Sequence, residues 1–471
     1  MIKLNRICCI ILVLSIVVDL GVWDNNFSQE LSINGLPAQS EIQWQYTYGG
    51  NGDDVCRSLI QTRDSGFVLA GFTDYHFDKG THTSHRSDML LVKTDAQGKQ
   101  QWEKTFNMTN WDLFTSLVQT SDGSLVMSGY TANGLCIMKT TEEGEAQWNR
   151  TYGLGGCAAE YGMILQTRDG GFALAGDYYC RKQISLLKTD AEGILEWNRT
   201  YGGMEGDVVS SLVQTLDGGF ALAGGTYSYG AGQFDMLLIK TDDKGIEQWH
   251  QTYGGAKDDE CRSLIQTVDG GFVLVGDRQA NFWIVKTDAD GTEQWQKIIG
   301  GSRTDRAFAH IQTTDGGFAL IGYTTDLGNW RSDMWLVKTA KNGTMLWYRV
   351  FGGLGEDHGF ALLQTSDSNF VLAGHTNSHD SDNLDFWLLK TGNITEPEID
   401  VHYRITEISE LGTTALTTIS ASSIEISESG TSTESLPSPY DVKSIPGLLF
   451  TFTVISLIIS VLFVKKSKFQ L

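Results

Sequence analysis

Proline is nearly missing from this chain. Five occur in 471 residues, at Pro37, Pro397, Pro437, Pro439 and Pro446, and none lies between residues 44 and 391. Such a stretch suits central β-strands, whose backbone N–H groups must all donate to a ladder. Basic residues are scarce as well: 35 Lys and Arg against 57 Asp and Glu give a formal charge of −22. That balance argues against nucleic acid as a partner, because phosphate backbones demand a basic surface. Helical spacing is absent between Trp44 and Thr391, which removes helical and α/β domains from consideration there. Cysteine is sparse too. Of seven, Cys8 and Cys9 sit near the start, and Cys56, Cys136, Cys157, Cys180 and Cys261 form no C-x-x-C metal pattern.

What the chain does have is a repeat. A tryptophan recurs at Trp44, Trp102, Trp148, Trp197, Trp249, Trp295 and Trp347, spaced 46 to 58 residues apart. Gln-Thr recurs at Gln61, Gln119, Gln166, Gln214, Gln266, Gln312 and Gln364, with an aspartate three residues on each time. Lys-Thr recurs at Lys93, Lys139, Lys188, Lys240, Lys286, Lys338 and Lys390. A period in this range marks a propeller or another stacked array, in which no unit buries its apolar face alone.

Each unit holds four short apolar runs, such as Ser263–Thr267, Phe272–Gly276, Phe282–Lys286 and Trp295–Ile299. Their length of about five residues is that of strands. Asp-Gly-Gly between the first two runs supplies the positive-φ positions of a tight hairpin. The fold expected is all-β: a seven-bladed β-propeller of four-stranded antiparallel blades. A β-sandwich is the alternative, though it leaves the period unexplained. The array opens on a lone tryptophan strand and closes after Phe386–Thr391, so the N-terminal strand should complete the last blade and seal the ring.

The flanks read differently. Residues 1–22 place Lys3 and Arg6 before an apolar run from Ile7 to Val18, the layout of a secretory signal peptide; a buried N-terminal strand is the alternative. Residues 23–43 form a polar leader into the propeller of 44–391, and 392–444 a Ser/Thr/Glu-rich stalk. Residues 445–464 are long enough as a helix to span ~30 Å of hydrocarbon. Lys465, Lys466 and Lys468 follow in a tail of 465–471, which orients that end inward. The expectation is a single-pass type I protein of the cell membrane with its propeller extracellular. Sequons at Asn26, Asn107, Asn149, Asn198, Asn342 and Asn393 become candidate glycosylation sites in such a setting. Cys157 and Cys180 flank two strands of one unit and are the candidate disulfide.

Sites should lie on the face with variable loops, opposite the uniform Asp-Gly-Gly turns. Seven residues before most Gln-Thr pairs stands an aspartate, Asp54, Asp112, Asp207, Asp259, Asp305 or Asp357, with Ala159 the exception. These carboxylates either ring the channel mouth and attract a divalent cation, or accept hydrogen bonds from adjacent loop amides. Six histidines fall in two units that closure makes neighbours: His76, His82 and His85, with His358, His375 and His379. They are a candidate transition-metal site or a solvated polar patch. Tyr75, Tyr178, Tyr227, Tyr229, Tyr323 and Trp330 are candidate ligand-stacking aromatics, or pack under their own loops.

The run Val92-Lys93-Thr94-Asp95-Ala96-Gln97-Gly98-Lys99-Gln100-Gln101-Trp102 resembles the tryptophan-docking repeat of quinoprotein-like propellers. The resemblance implies a tryptophan packed between blades. It implies no activity, since the adjacent cysteine pair of that family's dehydrogenases is missing from residues 44–391. Pro446-Gly447 opening an apolar segment that ends in lysines resembles the C-terminal sorting signals of archaeal surface proteins, with Leu448 where those have Phe. The function expected is a non-catalytic surface module that binds a glycan or a protein through its variable face. The alternatives are an extracellular enzyme (hydrolase, lyase or quinoprotein-like oxidoreductase) working at the channel mouth, and a structural spacer.

Overall fold

The structure is a computed structural model that describes residues 42–392, except 74–76, 79–82, 85–86, 110–111, 154–161, 179–182, 232, 328–330 and 379–382. The expected signal peptide, the expected leader apart from residues 42 and 43, the expected stalk apart from residue 392, the apolar segment of 445–464 and the tail lie outside the described residues. Among the described residues no helix is long and apolar enough to cross a membrane.

Seven four-stranded antiparallel sheets make up the array. Blade one is Val55–Gln61, Phe67–Thr73, Asp88–Thr94 and Gln100–Phe106, in that order from inside to outside. Blades two to six repeat the order, with innermost strands starting at Leu113, Gly162, Asp207, Asp259 and Asp305. Blade seven combines Asp357–Gln364, Phe370–Thr376 and Asp385–Thr391 with Ile42–Tyr48 from the chain start. The register pairs Trp44 with Lys390, Thr47 with Trp387 and Tyr48 with Phe386. This is the expected closure, and it gives the last blade its fourth, outermost strand. Neighbouring innermost strands touch one another in turn around the ring, which places them about the axis.

Burial follows the strand order. Second and third strands such as Phe220–Thr226 and Asp235–Thr241 are buried at every position, because blades cover both of their faces. That is why they read as unbroken apolar runs. Outermost strands such as Gln100–Phe106 alternate between exposed and half-buried. Each core cluster draws on two adjacent blades; one joins Phe67, Leu69 and Leu90 to Val371, Phe386 and Leu388.

Two devices lock the blades together on their uniform side. Gln119 Oε1 accepts from the Arg63 N–H of the blade before it, and Gln266 Oε1 accepts from the Leu216 N–H at 2.7 Å. In each hairpin turn the aspartate accepts from its own threonine and from a lysine of the third strand, as Lys240 Nζ does to Asp217 at 2.8 Å. The tryptophans provide the second device. The turn glycine of the next blade lies against the ring, so that a Cβ on Gly98 would sit 2.6 Å from Trp44 and one on Gly291 2.7 Å from Trp249. Gly98 also has φ of 82°, which glycine adopts freely. Tyr48, Tyr201 and Tyr253 add a hydroxyl bond to the carbonyl of the same glycine, Tyr201 to Gly245 at 2.7 Å.

Candidate functional site at the channel mouth

The innermost strands begin on the variable-loop side, and their first residues include the aspartates singled out above. These side chains are 0–2% exposed. Each accepts an amide from the loop that crosses between blades: Gly50 onto Asp54 at 2.8 Å, Gly203 onto Asp207 at 2.7 Å, Gly255 onto Asp259, Gly301 onto Asp305 and Gly353 onto Asp357 at 2.9 Å. Met108 and Thr109 do the same for Asp112 at 2.6 Å. Of the two readings of these residues, the geometry is that of loop pins: the carboxylates are sealed in the blade junctions and do not line an open mouth. The Asp305 carboxyl is pushed up to about 6 because burial outweighs its hydrogen bonds.

What lines the mouth is a position three residues further along. In six blades the first strand carries a β-bulge there, read from register shifts across Arg57, Thr115, Ser210, Arg262, Phe308 and Phe360. A bulge re-aims the extra residue, and here the carbonyl two residues before it lies close against the second strand. The glycine of the second strand makes room for it, since a Cβ on Gly71 would lie 2.0 Å from the Val55 carbonyl and one on Gly322 1.8 Å from that of Arg306. The repeat keeps this glycine for a packing reason.

The bulge residues divide the ring unequally. Blades two and four carry Thr115 and Ser210, and both hydroxyls donate back to the wall, Thr115 to the Gly162 carbonyl and Ser210 to that of Cys261. Blades five, six, seven and one carry Arg262, Phe308, Phe360 and Arg57, which stack side by side. The Arg57 guanidinium lies 4.3 Å from the Phe360 centroid, Phe360 is 4.3 Å from Phe308, and Arg262 is 5.4 Å from Phe308. Cation–π contacts hold both guanidiniums at the ends of an aromatic pair.

Charged and aromatic groups extend the column. Arg262 bonds Glu260 at 2.7 Å and Asp277 at 3.3 Å, Arg306 approaches Asp277 at 3.8 Å, and the Ala307 N–H donates to it at 3.1 Å. Burial drives the Asp277 carboxyl up and Glu260 adds to it, so that despite Arg262 and Arg306 it stands at about 6. Tyr323 stacks on His358 at 4.2 Å, and His358 lies 4.9 Å from His375. Burial, then Arg57 and Arg306, lowers the His358 imidazole to about 4; burial also lowers His375, helped by His358 and Arg57. Both rings are neutral at pH 7.

Two of the six expected histidines therefore come together, with Tyr323, in blades six and seven. His76, His82, His85 and His379 lie outside the described residues. Among the described residues no group of three or more His, Cys, Asp and Glu is placed to hold a metal. Tyr227 and Tyr229 stand on the blade-four loop, the first tilted against Phe234 at 4.6 Å and the second stacked on His250 at 4.4 Å. Tyr178 ends a second strand, with its side chain outside the described residues, as are Tyr75, Trp330, Cys157, Cys180 and Asn393. Asn107, Asn149 and Asn342 are exposed and Asn198 half-buried; Asn149 and Asn198 hold equivalent register, opposite Met138 and Leu187. Arg57, Arg262, Arg306, Asp277, Phe308 and Phe360 are absent from the sequence-based candidates. For Arg57, Arg262, Phe308 and Phe360 the signal was present, four residues before the Gln-Thr glutamine, but only the bulge gives that slot its meaning.

The chain is a seven-bladed β-propeller with a symmetry-broken channel mouth. No protein-family model and no curated protein matches it. Among solved structures it is similar to Sqt1 from Chaetomium thermophilum, at 12% identity over 71% of this chain and 82% of that one, with a TM-score of 0.45. It is also similar to the NanB sialidase from Streptococcus pneumoniae, at 9% identity over 76% and 71%, TM-score 0.42. A protein of unknown function from Dyadobacter fermentans gives 13% identity over 74% and 98%, TM-score 0.41. Likeness at this level carries no argument about function.

Proposed function

We propose that the chain is a cell-surface recognition module: an extracellular propeller on a stalk, anchored in the membrane by residues 445–464, that binds a glycan or a protein through its variable-loop face without turning it over. The anchor is of the archaeal surface-protein kind, and the propeller is of the tryptophan-docking, quinoprotein-like kind; the ring-on-glycine contacts between blades support the second point. The observation that carries the reading is the column Arg57–Phe360–Phe308–Arg262. It breaks the repeat with groups that bind, namely guanidiniums and half-buried rings, while the nearby imidazoles of His358 and His375 are neutral. The enzyme reading draws on one group, Asp277, whose carboxyl at about 6 suits proton transfer near neutrality.

Full-length protein on cells, probed with a membrane-impermeant labelling reagent and with arrays of immobilised glycans and surface proteins, tests the proposal. Surface labelling and array binding that Phe308→Ser with Phe360→Ser weakens by about tenfold or more is the expected result. Turnover of a bound array compound, abolished by Asp277→Asn, would replace it with the enzyme reading.

A further inference from the structure

Blade four gives up its place at the channel mouth. The residue after the second-strand glycine is Phe72, Tyr130, Asp177, Asp277, Tyr323 or His375 in the other blades, but Gly225 here. Phe234 fills the vacated space: a Cβ on Gly225 would lie 2.2 Å from its ring. No other blade has an aromatic residue immediately before its third strand. Tyr227 packs against Phe234 with centroids 4.6 Å apart and ring planes tilted by 44°, yet remains 54% exposed. Thus one side of the tyrosine is backed and the other faces solvent.

The surroundings of that ring are fixed. Tyr227 N–H donates to the Gly206 carbonyl at 2.8 Å, and Ser228 and Tyr229 N–H donate to the Thr226 hydroxyl at 2.9 and 3.1 Å. Ser228 Oγ donates to buried Asp207 at 2.8 Å and accepts the Glu205 N–H at 3.2 Å. Asp258 accepts the Phe234 N–H at 3.2 Å, which ties it to the base of the aromatic pair. Together Glu205, Tyr227, Gln233 and Asp258 line an open groove of about 520 Å³.

We infer that this groove is a subsite for a neutral pyranose ring of a glycan, resting on the reading that the variable face is the recognition face. An exposed, backed aromatic offers a flat surface for the C–H face of a sugar. Glu205 and Asp258 accept hydrogen bonds from sugar hydroxyls, and the Gln233 amide both donates and accepts. The same two carboxylates repel uronic and other acidic sugars, which sets the preference. A protein partner would meet a small concave patch with two carboxylates and one ring, and is the less suited occupant.

The test uses full-length protein and immobilised neutral hexose oligosaccharides, with the matching uronic-acid oligosaccharides as the charged arm. Binding to the neutral arm is expected to fall about tenfold or more with Tyr227→Ala and to survive in Tyr227→Phe, which keeps the ring. Gly225→Ala, which displaces Phe234, should weaken it as Tyr227→Ala does, and Glu205→Gln with Asp258→Asn should raise uronate binding relative to neutral. Tyr227→Ala and wild type should share a melting profile, since the ring is solvent-exposed. Neutral-arm binding unchanged by Tyr227→Ala but lost with Phe308→Ser and Phe360→Ser overturns the subsite while leaving the recognition reading intact. Wild-type preference for uronates likewise overturns the subsite. Absence of binding to every glycan and protein probe overturns both.

Discussion

The two faces of this propeller are built from the same seven repeats and have opposite characters. On the uniform face one arrangement recurs: threonine and lysine on a turn aspartate, and glutamine reaching back to the preceding blade. Lys93 meets Asp64 at 2.7 Å, Lys240 meets Asp217 at 2.8 Å and Lys338 meets Asp315 at 2.8 Å. On the variable face the same strand positions hold Arg, Thr, Gly, Ser and Phe. Repetition marks what holds the ring; its loss marks where the molecule is free to differ. The contrast also sorts charge. Burial pushes the carboxyls of Asp64, Asp217 and Asp315 up, but bonds from their lysine, threonine and glycine N–H outweigh it and hold them at about 2. On the other face burial wins, and Asp277 and Asp305 stand at about 6.

The largest effect should come from opening the ring. Deleting residues through Tyr48 removes the outer strand of blade seven and the Trp44 ring that docks on Gly98. A loss above about 4 kcal/mol is expected, seen as an absent or broad melting transition, and a synthetic peptide of residues 42–50 should restore it. Next comes Gly98→Val, which combines a positive φ with overlap onto Trp44; about 3 kcal/mol is expected by chemical denaturation. An unchanged midpoint would mean that docking does not hold the seam.

Acid should separate the faces. His310, His358 and His375 are lowered by burial, the first to about 3 and the second to about 4, so below their unfolded value the unfolded chain binds more protons. Stability then falls as pH drops from about 6.5 to about 3. Asp277 and Asp305 act in the reverse sense over about 4 to 6: the native state holds the extra proton, and acid favours it. Asp277→Asn should therefore steepen the loss between pH 6 and 4, measured by denaturant midpoints. The depressed turn aspartates contribute only lower, their share disappearing between about pH 4 and about pH 2.

Smaller effects complete the contrast. Lys240→Met should cost no more than about 1 kcal/mol, because Asp217 is more than half exposed and solvent screens the pair. Lys93→Met and Lys338→Met should match it within error, whereas unequal costs would break the equivalence of the blades. Arg57→Gln should move the melting midpoint least while reducing any ligand bound at the mouth, since the guanidinium rests on the Phe360 and Phe72 rings.

Much of the scaffold was legible in the chain. Blade number, strand order and the closing strand follow from counting Trp, Gln-Thr and Lys-Thr, because each recurs where the same contact must be made again. Placing the aspartates at the start of the innermost strands was also readable; that they are sealed in the junctions was not, since a strand terminus can face a channel or a neighbouring loop. Arg57 and Arg262 carry no motif, and they stand 205 residues apart in the sequence numbering. Tyr227 was visible as a loop aromatic, but not its support by Phe234, which depends on the missing side chain at Gly225.

By itself the sequence determined the period, the pairing of its own strands and the seam at Trp44, because hydrogen-bond ladders and apolar runs are local, repeated demands that any unit states in full. Tertiary structure alone decided which residues share the mouth. Ring closure brings Arg57 beside Phe360, and the bulge turns both inward; neither curvature nor a bulge is written in any one blade.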